Sequence, residues 1–315
     1  MTMKTLKLAA LAPLLVTMLA SSNAAALQPA RADAHAAQAM MLDATRAGRR
    51  IVAVGEHGYV LMSDDDGATQ RQARAVPADM TLTAVSFADA RHGWAVGHGG
   101  VIVHTADGGE TWSLQRQDAA ADQPLLTVYF RDAQHGWAAG LWSLLLATSD
   151  GGKTWRQVAL PPQDGGKRAD LNLLKIFPSQ GGQLFIAAER GMVLRSRDDG
   201  ASWQYLATGS KASLWSGTAA GGHTLLVAGL GGRMLRSTDD GASWAVVDAG
   251  TAGSITQLQA DAGSVWASSL DGRLLRSADD GRTWETVGAA GEPLTAIAAR
   301  TGGAYLRYTR RGLAK

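Results

Sequence analysis

An octet that occurs six times constrains this chain more than any other feature. The copies are "SDDDGATQ" (63–70), "TADGGETW" (105–112), "TSDGGKTW" (148–155), "SRDDGASW" (196–203), "STDDGASW" (237–244) and "SADDGRTW" (277–284), and their starts lie 40 to 48 residues apart. One such stretch, with its acids, glycine and hydroxyl, looks like a site of chemistry. Six copies at one period instead mark a supersecondary unit that is repeated. Other positions keep the register. Five residues before each octet stand Gly58, Gly100, Ser143, Gly191, Gly232 and Gly272, and eight before stand Gly55, Gly97, Gly140, Ala188, Gly229 and Ser269, all small. Between them run short apolar-rich segments such as "YVLMS", "VIVHT" and "RLLRS", which read as strands.

Two more strands precede each of these, as in "LTAVSFAD" and "WAVG", and a fourth follows each octet. The unit is therefore four antiparallel strands, A to D, in about 40 to 45 residues, the size of a propeller blade. A β-solenoid fits less well, because solenoid repeats are usually shorter and lack a four-strand meander. After the sixth octet, 294–299 matches strand A, 304–309 matches strand B and Gly312 matches the small residue before an octet, but the chain ends at Lys315. The expected fold is an all-β, seven-bladed β-propeller of four-stranded antiparallel blades over 40–315. Residues 27–39 are expected to complete the last blade by strand exchange, which would remove exposed sheet edges.

The octets resemble the Asp-box of BNR-repeat propellers, Ser/Thr-x-Asp-x-Gly-x-Thr/Ser-Trp, closely in five copies; the first has Gln70 in place of tryptophan. Asp65, Asp107, Asp150, Asp198, Asp239 and Asp279 are suited to accept backbone N–H bonds inside a C–D hairpin. Trp112, Trp155, Trp203, Trp244 and Trp284 are suited to bury their faces between neighbouring blades. These residues are read as structural. "DDDG" (64–67) lacks the ligand spacing and terminal glutamate of a calcium loop. His92 and His135 occupy equal places in adjacent repeats and read as A–B turn residues. No metal or cofactor is expected.

The N-terminus carries Lys4 and Lys7, the apolar run 8–20 and then "SSNAAA", the layout of a secretory signal peptide over 1–26 with cleavage near Ala24 to Ala26. The apolar run is too short for a spanning helix. The expected location is outside the cytoplasm, in the periplasm, as a soluble mature chain. Of the 30 basic and 28 acidic residues, the segment 1–26 holds two lysines and no acid, so its removal leaves the charges balanced. A nucleic-acid partner is not expected from such a balance. With no cysteine, disulfides, thiolate metal sites and a cysteine nucleophile are excluded.

In a propeller, C–D and A–B turns share one face, and B–C turns and D–A connections share the other. The candidate binding face is the ring of B–C turns: Glu56, His57, His98, Trp142, Glu189, Arg190, Asp271, Arg310 and Arg311. Unlike the octets it varies from blade to blade, as recognition loops do. The D–A connection 159–170 is expected to lean over the same face. From the signal segment to the incomplete last unit, with units such as "LTAVSFADARHGWAVGHGGVIVHTADGGETW", the chain resembles the photosystem II stability/assembly factor family. That resemblance implies a seven-bladed propeller acting as a non-enzymatic assembly factor, peripheral at a membrane, with a subunit of a membrane protein complex or another envelope protein as partner. It also implies an arginine-rich working surface, for which Arg190, Arg310, Arg311 and Arg307 are available, although no arginine motif matches closely. A second reading is a glycan-binding or sialidase-like exoprotein, motivated by Trp142, Glu56, Glu189 and Asp271. None of the five tyrosines, Tyr59, Tyr129, Tyr205, Tyr305 and Tyr308, sits in a recognisable sialidase motif.

Overall fold

The computed structural model describes residues 27–118, 121–163, 169–261, 263–288 and 291–314. The segment read as a signal peptide, the stretch 164–168 of the long D–A connection and Lys315 lie outside the described residues. Seven antiparallel sheets follow one another, at 41–72, 82–116, 125–157, 173–207, 214–247, 255–286 and 294–313, and within each the strands pair in sequence order. Consecutive inner strands pack together, and that of the seventh sheet packs on that of the first, so the sheets form the seven blades of a β-propeller. Among the described residues no helix is long and apolar enough to cross a membrane.

Burial explains the order of the strands. The B strands of blades 2 to 6, such as Gly93–Gly97 and Leu184–Ala188, are buried throughout because both faces meet neighbouring blades. The D strands at the rim have only two to four residues, which keeps their exposed edges short. The core is correspondingly divided into apolar clusters between successive blades, for example Trp94 of blade 2 stacked on Phe130 of blade 3 with ring centroids 3.5 Å apart.

Each octet folds as one hydrogen-bonded unit. In the sixth, Asp279 accepts the backbone N–H of Thr283 at 2.9 Å and its hydroxyl at 2.7 Å, while Ser277 donates to Asp279 and accepts the N–H of Gly281. The same bonds recur around Asp65, Asp107, Asp150, Asp198 and Asp239. Gly281 has φ +78°, and a Cβ there would lie 2.5 Å from Leu226 of the preceding blade. Each octet tryptophan packs on the cluster it shares with the preceding blade, and Trp112, Trp203, Trp244 and Trp284 donate to the octet glycine carbonyl three residues back.

These bonds favour the ionised carboxylate. The hydroxyls of Thr69, Thr154 and Ser202, and then the N–H groups of the same residues, hold Asp65, Asp150 and Asp198 down at about 2. Asp239 is lowered chiefly by Ser243, and Asp279 chiefly by the N–H of Thr283. Burial pushes Asp107 up, but the bonds from Thr111 and Thr105 bring it below its ordinary value. Because the folded values lie below the unfolded one of about 4, the unfolded chain binds more protons as the pH drops between them. The guanidinium unfolding midpoint is therefore expected to be level from about pH 7 to 5 and to fall between about pH 4 and 2. A midpoint that stays level down to pH 2 would contradict this account of the octets.

Two features depart from expectation. Blade 7 has three strands among the described residues, the third being only Gly312–Leu313. The segment 27–39 does not supply a fourth strand, because its backbone bonds go to the connection between blades 1 and 2: Ala30 N–H donates to Val76 and Asp79 N–H to Gln28, at 3.0 and 2.8 Å. It then turns at Ala36–Gln38, and Ala36 packs between blades 7 and 1. The ring closes instead through the first octet, held against blade 7. A Cβ at Gly67 would lie 2.4 Å from Leu306, Gln70 donates to the Tyr308 hydroxyl at 2.7 Å, and Asp66 accepts Arg46 and the N–H of Thr301. Gln70 thus reaches toward the preceding blade as the octet tryptophans do.

The inner strands are also joined in a way the repeat does not announce. Inner strands of a propeller splay apart around the central channel, so their channel-side N–H groups need acceptors from outside their own sheet. Side chains of the preceding blade provide them. Asp43 accepts from Val85, Ser86 from Phe130, Thr127 from Ile176, Ser216 from Leu258 and Gln257 from Ile297, at 2.8 to 3.1 Å. The Gln257 amide also donates to Asp43 at 2.8 Å, and the Lys175 ammonium of blade 4 lies 3.9 Å from the same carboxylate.

Candidate binding face

The B–C turns are built alike. In blades 1 to 6 the N–H that opens the turn bonds to the carbonyl before strand A of the same blade, as Glu56 to Met40, His98 to Thr81, Leu141 to Pro124 and Glu189 to Asn172. In blades 1 to 5 the apex residue of the turn is left-handed. Blades 2 and 5 use Gly99 and Gly231, at φ +65° and +66°. Blades 1, 3 and 4 hold His57, Trp142 and Arg190 in that same conformation, at φ +56°, +52° and +57°. For a residue with a Cβ this costs about 1–2 kcal/mol, so three side chains project from apices where glycine would be easier. Such strain is characteristic of functional positions. Replacing His57, Trp142 or Arg190 with glycine is expected to leave stability unchanged or raise it by up to about 1 kcal/mol. Thermal midpoints check this; a fall of several degrees would show that these side chains hold the turn.

The face divides into groups that build it and groups that project from it. Glu56 accepts the Met40 N–H, and Glu189 accepts from the side-chain amide of Asn172, whose Oδ1 receives the Trp142 N–H. Asp271 accepts from Ser269 and from Thr251, the latter at 2.6 Å, and lies 3.3 Å from Arg273. Burial raises the Asp271 pKa, but these bonds bring it net below the ordinary value. These three carboxylates therefore organise the turns. Arg190 is spanned by Asp170 at 3.4 Å and Glu189 at 3.7 Å.

Projecting outward are His57, His98, Trp142, Arg310 and Arg311. Trp142 is 57% exposed, unusual for so large an apolar surface, and Leu230 at the blade 5 turn is 50% exposed. Met80, in the D–A connection before blade 2, packs near Gly99 and is also exposed. The turn at Leu230-Gly231 belongs to the ring read from register, whereas Met80 was missed; its signal was an apolar residue inside a connection. The arginines do not gather into one patch. Arg190 stands on blade 4, Arg310 and Arg311 on blade 7, and Arg307 lines a groove between blades 6 and 7.

Sialidase-like chemistry would need a tyrosine nucleophile supported by a glutamate. Instead Tyr59 donates to Asp33, Tyr205 to the Pro161 carbonyl, and Tyr308 is bonded to Gln70. His92 and His135 lie in A–B turns on the octet face, where Asp89 and Asp132 hold their rings. They are turn residues by geometry.

The comparisons with known proteins agree with this architecture. The chain is similar to a solved structure of YCF48 bound to D1 peptide, with 19% identity and a TM-score of 0.70 over 91% of this chain and 95% of that one. It is similar to YCF48 from Cyanidioschyzon merolae, with 18% identity and a TM-score of 0.68 over 92% and 97%. It is also similar to virginiamycin B lyase from Staphylococcus aureus, with 12% identity and a TM-score of 0.73 over 91% and 97%. An enzyme thus superposes as well as the YCF48 proteins do, and the fold alone does not choose between them. No curated protein sequence matches. The sequence profile of the photosynthesis system II assembly factor YCF48 family matches residues 69–204 and 115–263, more than half of the chain, and with the seven-bladed ring this places the protein in that family.

Proposed function

We propose that this protein is a non-enzymatic, exported scaffold that holds a subunit of a membrane protein complex while the complex is assembled or stabilised. The observation that carries the reading is Trp142, broadly exposed on the B–C face and kept at φ +52° where sister blades use glycine. An exposed aromatic on a turn face that also carries Leu230, histidines and arginines on other blades suits a protein-binding surface, in which a few aromatic and arginine residues carry most of the affinity. The family gives the partner class: a YCF48 relative has been solved with a D1 peptide. Export rests on the layout of residues 1–26, which implies a mature chain beginning near Ala24 to Ala26 and acting at the membrane from outside the cytoplasm.

Affinity capture from detergent-solubilised membranes of the native host tests this. The expected result is one reproducible membrane subunit, retained by the unaltered protein and reduced at least about tenfold by Trp142→Gly, as expected for a central aromatic anchor. Capture that does not change with Trp142→Gly, or with Arg310→Ala and Arg311→Ala together, would refute the B–C face as the working surface. N-terminal sequencing of the mature protein tests the export step.

A further inference from the structure

The open rim of blade 7 is a second place where this molecule can take a polypeptide. In blade 6 the B strand pairs with C-strand residues at Val265, Trp266, Ala267 and Ser268. In blade 7 the corresponding pairing involves only Tyr308 and Thr309, with one further bond from the Ala314 N–H to the Arg307 carbonyl. Backbone groups two residues apart on a strand point the same way, so the N–H and C=O of Tyr305 face the same open edge. No strand covers them among the described residues. An uncovered edge of this kind is a template for strand addition.

The edge borders a groove of about 1340 Å³ between blades 6 and 7. Its floor is apolar, with Trp266, Leu274, Val287 and Tyr305, and the Trp266 and Tyr305 rings lie 4.6 Å apart by centroid. The Tyr305 side chain is buried, yet its hydroxyl has no hydrogen-bond partner among the described residues. The charge is one-sided. Arg307 and Arg311 line the groove with Glu292 as the acidic member; Glu292 lies 3.8 Å from Arg311, while Arg307 has no ion pair among the described residues.

We propose that this groove binds an extended segment of a partner polypeptide, which adds a strand to the edge at Tyr305–Arg307, lays apolar side chains on Trp266 and Val287, and places a carboxylate against Arg307. The carboxylate follows from the charge of the lining, since an uncompensated guanidinium on an apolar floor favours a charge-assisted bond to an acid. A second copy of this chain would bring another arginine-lined edge to the same place. The groove meets the B–C turn face at Arg311, but its strand edge at Tyr305–Arg307 lies outside those turns and does not depend on the role proposed for them.

The test uses the full chain and a short fluorescein-labelled peptide that alternates threonine and valine around one central aspartate. One twin carries lysine in place of the aspartate, and another carries N-methyl groups on alternate amides. The aspartate peptide is expected to bind at least about tenfold more tightly than the lysine twin, as a charge-assisted pair allows. N-methylation should abolish binding, and Arg307→Gln should erase the preference for aspartate. Val287→Glu changes a half-exposed position that tolerates charge, and it should shift the preference toward lysine. Hydrogen exchange at the Tyr305 amide should be fast in the free protein and slow with peptide bound. Absence of binding by all peptides, equal binding of the aspartate and lysine forms, or binding indifferent to N-methylation would overturn the proposal. So would a Tyr305 amide already protected in the free protein, which shows the edge occupied by the chain itself, or a dimer that the peptide fails to dissociate.

Discussion

Asp43→Ala is expected to destabilise the protein by about 3–5 kcal/mol, the range for removing one partner from a buried charged network. Asp43, in blade 1, is 5% exposed and meets groups from three other blades. It accepts the Val85 N–H of blade 2 and the Gln257 amide of blade 6, and it lies 3.9 Å from Lys175 of blade 4. Alanine removes the acceptor of three buried donors, the Ala44 and Val85 N–H groups and the Gln257 amide, each at a cost of about 1–3 kcal/mol, beside an ammonium that has lost its counter-charge. Asp43→Asn keeps an oxygen for one donor and should cost less than alanine. Urea unfolding curves check both, and Asp43→Ala combined with Gln257→Leu should cost less than the two single changes summed. A loss below about 1 kcal/mol for Asp43→Ala would show that water replaces the carboxylate in the channel.

Leu306→Ala is expected to cost about 2–5 kcal/mol, the range for truncating a buried leucine that leaves a cavity. Leu306 is 6% exposed and packs against Gly67 of the first octet, at the seam where the last blade meets the first. Strand exchange would have spread the closure of the ring along a whole ladder of backbone bonds. Here closure depends on side chains: Leu306, Tyr308 with Gln70, Asp66 with the Thr301 N–H, and Arg46 with the Ala299 carbonyl. A local loss at the seam should therefore weaken the whole molecule. The same truncation in a seam closed by strand pairing would be buffered by the ladder. Denaturant midpoints read the difference, and a change below about 1 kcal/mol would place the closing energy elsewhere.

Much of the architecture was legible from the octets. Their period counted the blades, the boundaries of strand A in the last blade were read at 294–299, and the carboxylates that organise the hairpins were identified by spacing. The local chemistry suffices there, because aspartate, glycine and a hydroxyl within one turn satisfy one another without help from elsewhere. The B–C turns were also placed correctly from register. Their division of labour was not. Glu56, Glu189 and Asp271 look like recognition groups in sequence, yet each is consumed by a neighbouring donor that only the folded turn brings near. The same is true of Arg190, whose partner Asp170 comes from the preceding connection.

Sequence alone determined what is periodic: four strands per unit, a hairpin lock in each of six units, and a variable ring on the opposite face. These follow from contacts within a few residues or one blade, and repetition displays them openly. Tertiary structure decided what happens once: how the ring closes, where Asp43 ties its own blade to three others, and which edge is left open. Such features join residues some 200 or more positions apart, as Gln70 joins Tyr308 and Asp43 joins Gln257. No period records them, because a closed ring has a single seam and its geometry is fixed only when all the blades are in place.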